Sequence, residues 1–109
     1  MAIYSLSHSS ISANDAPGLT AARLIYACCR QEAVVIGERH ELNRFTRSNL
    51  KNFASLREKQ AGKNGRILDG FIAALPQEGS REDHIKIVQR FAEQLTKHRA
   101  PWIAAFHYD

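Results

Sequence analysis

Apolar and polar positions alternate from Ala2 to Ser9, with Tyr4, Leu6 and His8 on one side and Ile3, Ser5 and Ser7 on the other. This two-residue period predicts a half-buried first strand. Ser10 to Gly18 collects Ser, Asn, Asp, Pro and Gly, which is turn chemistry, and Thr20 is placed to cap a helix through Ala21, Ala22, Leu24 and Ala27 to about Gln31. Ala33 to Ile36 is short and mostly β-branched and ends at Gly37, so it reads as a strand or an apolar loop. Leu50, Phe53, Ala54 and Leu56 recur at three- and four-residue spacing and predict a second helix over Asn49 to Gln60, capped by Ser48 and ended by Gly62 and Asn64-Gly65.

Arg66 to Leu75 is largely apolar and stops at Pro76, as a strand covered on both faces would. Ser80 with Asp83 resembles a capping pair. It opens a third helix whose stripe is Ile85, Val88, Phe91, Ala92 and Leu95 and which ends near His98. After Pro101, Trp102 to Tyr108 reads as a final strand. This order predicts an α+β fold: one sheet of three to four strands with two to three helices packed on one face, in a single domain over 1–109.

Composition narrows the class. At 109 residues, 44% of them hydrophobic, the chain suffices for one modest core. No apolar run approaches the roughly 20 residues of a membrane span, and the N-terminus lacks a basic stretch followed by a long apolar core. A cytosolic, membrane-independent protein is expected. Cys28 and Cys29, the only cysteines, are adjacent, which excludes a disulfide framework and a cysteine-rich zinc site and reads best as small packing residues.

The net charge of +4 is unevenly spread. Thr20 to Arg66 holds ten basic residues (Arg23, Arg30, Arg39, Arg44, Arg47, Lys51, Arg57, Lys59, Lys63, Arg66) against four acids, while both flanks are slightly acidic. A basic middle with interleaved Asn and Gln suits contact with phosphates; a solvated surface accounts for the same pattern. Arg23, Arg30, Arg39, Arg44, Arg47 and Lys51 are the candidate nucleic-acid contacts.

Tyr26 lies three residues after Arg23 and four before Arg30, so a helix continued to Gln31 places all three on one face. Guanidiniums beside a phenol favour the phenolate and hold a phosphodiester near its oxygen. From spacing alone, a boundary tyrosine between two solvated arginines is the favoured reading. The five histidines show no close metal-ligand spacing; His8 and His107 are the pair that strand geometry could bring together, and they read as satisfied sheet residues before they read as ligands.

Several blocks taken together resemble the start of a MobA/MobL-type plasmid relaxase. They are Met1-Ala2-Ile3-Tyr4-Ser5-Leu6-Ser7, Thr20-Ala21-Ala22-Arg23-Leu24-Ile25-Tyr26, Ala74-Leu75-Pro76 leading to Phe91-Ala92-Glu93-Gln94-Leu95, and Ile103-Ala104-Ala105-Phe106-His107. They occur in the family's order across nearly the whole chain. The resemblance implies the N-terminal part of a relaxase domain, in which the tyrosine matched by Tyr26 attacks a DNA phosphodiester and becomes a 5′-phosphotyrosine. It also implies a divalent ion, Mg²⁺ or Mn²⁺, held by three histidines, of which His107 matches the first.

Two departures stand against full activity. The family's other two histidines follow in an Asn-Pro-His-x-His stretch, and the sequence here ends at Asp109 before it. Where family members often carry glutamates, this chain has Gly70 and Ile72, with Asp69 the nearest acid. The metal site is thus expected to be incomplete.

The resulting expectation is a relaxase-like, single-stranded-DNA-binding protein of a bacterial plasmid or mobile element with weak or no nicking. A nickase completed by a further histidine-bearing chain is a second reading. The alternative from another class is a stand-alone mobile-element inhibitor that binds a host defence complex such as a CRISPR effector; the expected protein partner, if there is one, is the relaxosome or such a defence complex.

Overall fold

The computed structural model describes residues 5–15, 17–62 and 65–107. Ala2 to Tyr4 of the expected first strand, Lys63, Asn64 and Tyr108 lie outside the described residues. Along the chain come β1 (Ser5–Ser12), α1 (Leu19–Cys28), β2 (Val34–Glu38), α2 (Arg47–Gln60), β3 (Arg66–Ala74), α3 (Arg81–Thr96) and β4 (Trp102–Phe106). The α+β class holds, with four strands and three helices among the described residues. The strands form two antiparallel ladders, β1 with β3 and β2 with β4, in place of the single sheet expected.

Local chemistry explains the helix starts. In α3 the Ser80 hydroxyl accepts from the Asp83 amide and the Asp83 carboxylate accepts from the Ser80 amide, each at 3.1 Å, a reciprocal cap that satisfies two otherwise orphaned donors. In α2 the cap is Thr46, whose hydroxyl accepts from the Asn49 amide at 3.2 Å; Ser48, the expected cap, is inside the helix. α1 begins at Gly18, in the left-handed region at φ 85°, without a side-chain cap. Thr20, the expected cap there, is instead buried in the first turn, and its hydroxyl has no partner among the described residues.

The ambiguous Ala33–Ile36 segment enters a strand. β2 pairs along β4 from Val34 opposite Phe106 to Glu38 opposite Trp102. Gly37 is required in it, because a Cβ there would stand 2.5 Å from the Trp102 carbonyl oxygen and 2.7 Å from the His40 ring. α1 and α2 pack together and against one face of this ladder. Leu24, Cys28, Leu50 and Ala54 form the buried seam, and Val35, Phe53, Ile103 and Ala105 close over it. Each fully buried Leu-sized side chain contributes about 1.5–3 kcal/mol, so this seam is the chief anchor of the α1–α2 pair.

The β1–β3 ribbon is far more open. Ser5 to Ser10 are exposed, and β3, expected to be covered on both faces, is exposed or half-buried throughout, with Ile72 78% accessible. The faces stay open because the helices pack elsewhere: α1 and α2 lie on the β2–β4 ladder, and few residues of any helix reach the ribbon. The ribbon is tied to α3 through the His8 ring stacked on Phe71 (centroids 4.6 Å apart) and Phe71 edge-on to Phe91 (5.6 Å). Ile11, 3% exposed, anchors its other end.

Candidate functional site

α1 and α2 lie side by side, and an open groove of about 690 Å³ runs between them. Ala21, Ala22, Ile25 and Tyr26 line the α1 wall; Arg47, Lys51, Ser55 and Glu58 line the α2 wall, with Gly18 at one end. The α2 residues are spaced four, four and three apart, so they form a polar stripe along one helical face. Leu50 and Ala54, one residue before Lys51 and Ser55, turn into the seam. One helix thus places its apolar face in the core and its cationic face on the groove.

Tyr26 is 72% exposed at this groove. The cations that share it are Arg47 and Lys51, brought from a helix more than twenty residues away in sequence, and not the two arginines that flank it in sequence. α1 ends at Cys28, so Arg30 lies beyond the helix and the expected single face of Arg23, Tyr26 and Arg30 does not form. Arg23 donates to the Ser9 hydroxyl at 3.3 Å, linking α1 to the ribbon. Arg30 donates to Nδ1 of His107 at 3.2 Å. Arg44 is exposed on the loop before α2.

Arg39 has a structural role. Its guanidinium grips Glu93 through Nη2 at 2.5 Å, and its Nε donates to the Ala100 carbonyl at 3.0 Å. Glu93 also accepts from the Trp102 indole and from Nδ1 of His98. The Arg39 guanidinium first, and the Trp102 N–H second, hold the Glu93 carboxyl down at about 2, against the smaller upward push of desolvation. This clasp joins the end of β2 to α3 and β4.

The two candidate histidines do not meet. His8 donates from Nε2 to Asp69 at 3.0 Å within the ribbon. His107 follows β4, where its Nε2 donates to the Ala27 carbonyl at 2.7 Å while Nδ1 accepts from Arg30. Both ring nitrogens are thus engaged. Among the described residues no group of three or more His, Cys, Asp or Glu gathers as metal ligands. The described residues therefore bring no three-histidine set together.

Burial, reinforced by the neighbouring Cys29, pushes the Cys28 thiol up to about 11, which keeps it protonated and unreactive in the seam. No helix among the described residues is long and apolar enough to cross a membrane. Ser55 and Glu58 are groove residues that the apolar periodicity did not single out. Their signal is the i, i+4, i+8, i+11 run that starts at Arg47. Compared with protein-family models, with curated proteins and with solved structures, the chain has no significant match in any of the three.

Proposed function

We propose that the chain is a relaxase-like protein of a bacterial mobile element that binds single-stranded DNA in the α1–α2 groove, with weak or no strand cleavage. The observation that carries this reading is the convergence of Arg47, Lys51 and an exposed Tyr26 on one groove from two different helices. Two cations four residues apart on one helix can bridge phosphate oxygens, with Arg as a planar fork and Lys as a point charge. Ser55 adds a hydroxyl to the same wall. Glu58, also on that wall, opposes anion binding at its end and biases a phosphate toward Arg47 and Lys51.

The engagement of His107 supports the weak-cleavage part of this reading. In nicking, the Tyr26 oxygen would bond phosphorus as the bond to the 3′ oxygen breaks; in the family that this chain resembles, three histidines hold the ion that would help to carry the developing charge. The ring that would start such a site holds the ends of α1 and β4 together instead.

The test incubates the protein with labelled single-stranded oligonucleotides, with and without Mn²⁺, and resolves covalent adducts and retained complexes on gels. Retention without an adduct, weakened by salt, is expected. In the double variant Arg47→Glu, Lys51→Glu the slope of log affinity against log salt should fall by about 0.7 for each phosphate that is no longer neutralised. A metal-dependent adduct that disappears in Tyr26→Phe would overturn the weak-cleavage part. Absence of retention would overturn the DNA reading and leave a protein-binding inhibitor as the stronger one.

A further inference from the structure

We infer that Tyr26 is a stacking platform for one unpaired base, so that the groove takes a whole nucleotide unit, base and phosphate together. This rests on the phosphate-binding reading above and adds what that reading leaves open, the reason for an exposed aromatic ring at the cationic groove. Tyr26 is 72% accessible, although an aromatic ring is among the most favourable groups to bury. The aromatic contacts among the described residues engage His8, His40, Phe45, Phe53, Phe71 and Phe91 and leave Tyr26 out.

The surroundings suit a flat guest. A side chain on a helix leans toward the preceding turn, and four residues before Tyr26 stands Ala22, whose methyl leaves the space beside the ring open. Ile25 and Ala21 give the same wall an apolar lining. Opposite, Arg47 and Lys51 supply the charge for the phosphate attached to that base.

A base within a duplex already has both faces covered by its neighbours, so only an unpaired base can lie on this ring. Stacking of this kind tolerates any base, because each has a π-face. The ligand class is therefore single-stranded nucleic acid with little sequence preference at this position.

Fluorescence anisotropy with the full chain tests it, using a labelled thymidine tract, an abasic tract with the same backbone, and a duplex of equal length. The abasic tract and the duplex should bind at least about tenfold more weakly than the thymidine tract. Tyr26→Ala should weaken thymidine-tract binding about ten- to a hundredfold and remove the difference between thymidine and abasic tracts, while Tyr26→Phe, which keeps the ring, should restore it. Thermal melting of Tyr26→Ala shows whether the fold is intact, as an exposed site should allow.

Equal affinity for thymidine and abasic tracts would overturn stacking yet leave the phosphate reading standing, provided Arg47→Glu still weakens both. An affinity loss in Tyr26→Phe equal to that in Tyr26→Ala would also overturn it, by assigning the effect to the hydroxyl. Failure of the wild-type chain to bind any of the three ligands would overturn both readings.

Discussion

Leu50 is fully buried between α1 and α2, in contact with the seam formed by Leu24, Cys28 and Ala54. Leu50→Ala removes three carbons, a transfer loss of about 2.4 kcal/mol at about 0.8 per carbon. The cavity left behind adds to this, for a total of about 3–4 kcal/mol, inside the roughly 2–5 kcal/mol range of such truncations. In a domain of this size that lowers the melting temperature by on the order of 10–25 °C. Leu56, on the same helix but 53% exposed, is the control. Leu56→Ala should cost under about 1 kcal/mol, because Leu and Ala have nearly equal helix propensity and little packing is removed. Urea unfolding followed by far-UV circular dichroism measures both. Equal losses in the two variants, or a Leu50→Ala cost below about 1 kcal/mol, would mean that the α1–α2 seam, and with it the groove that it shapes, is not the anchored part of the fold.

Other outcomes follow from the clasp and from the buried hydroxyl. Because the Glu93 carboxyl is held at about 2 against an ordinary 4.5, its contribution to stability is full above pH 4.5 and is lost as pH falls toward 2. Glu93→Gln should therefore be less stable at neutral pH and lose less on acidification across that window; parallel pH profiles for the variant and wild type would refute the clasp. Thr20→Val replaces a buried hydroxyl that has no partner among the described residues with a methyl and should stabilise the protein by about 1 kcal/mol in urea unfolding. A clear destabilisation would show that the hydroxyl is bonded.

Much of the fold was legible where a signal is local. The Ser80–Asp83 pair and the Ile85-to-Leu95 stripe define α3 because capping and periodicity act within one helix. Where two local solutions compete, sequence could not choose. Thr46 and Ser48 both offer hydroxyls, and Thr46 prevails as the cap because Ser48 lies within the helix. Thr20 resembles a cap but fills the interior, since its methyl packs as readily as its hydroxyl bonds.

Long-range pairing decided the rest. β1 runs to Ser12 rather than Ser9 because β3 supplies partners that far, ending with Arg66 opposite Ser12. Arg39 counted as one more cation in the basic segment until Glu93, 54 residues away, became its neighbour. Arg47 and Lys51 were candidates by composition, whereas their meeting with Tyr26 depended on how α1 packs on α2.

The pairing of β1 with β3 and β2 with β4 interleaves the two ladders along the chain. No cut between β1 and β4 leaves both intact: a break after β1 or before β4 severs one ladder, and a break in the middle severs both. Neither ladder can therefore be excised as a contiguous piece without including a strand of the other. Such crossing ties the exposed ribbon to the buried seam through chain connectivity, even where few side chains join them. Closing either ladder brings together strands separated by another strand and at least one helix, a loop-closure cost that local helix formation does not carry. Helices should accordingly precede strand pairing during folding, with the ladders assembling on a helical pair that has already met.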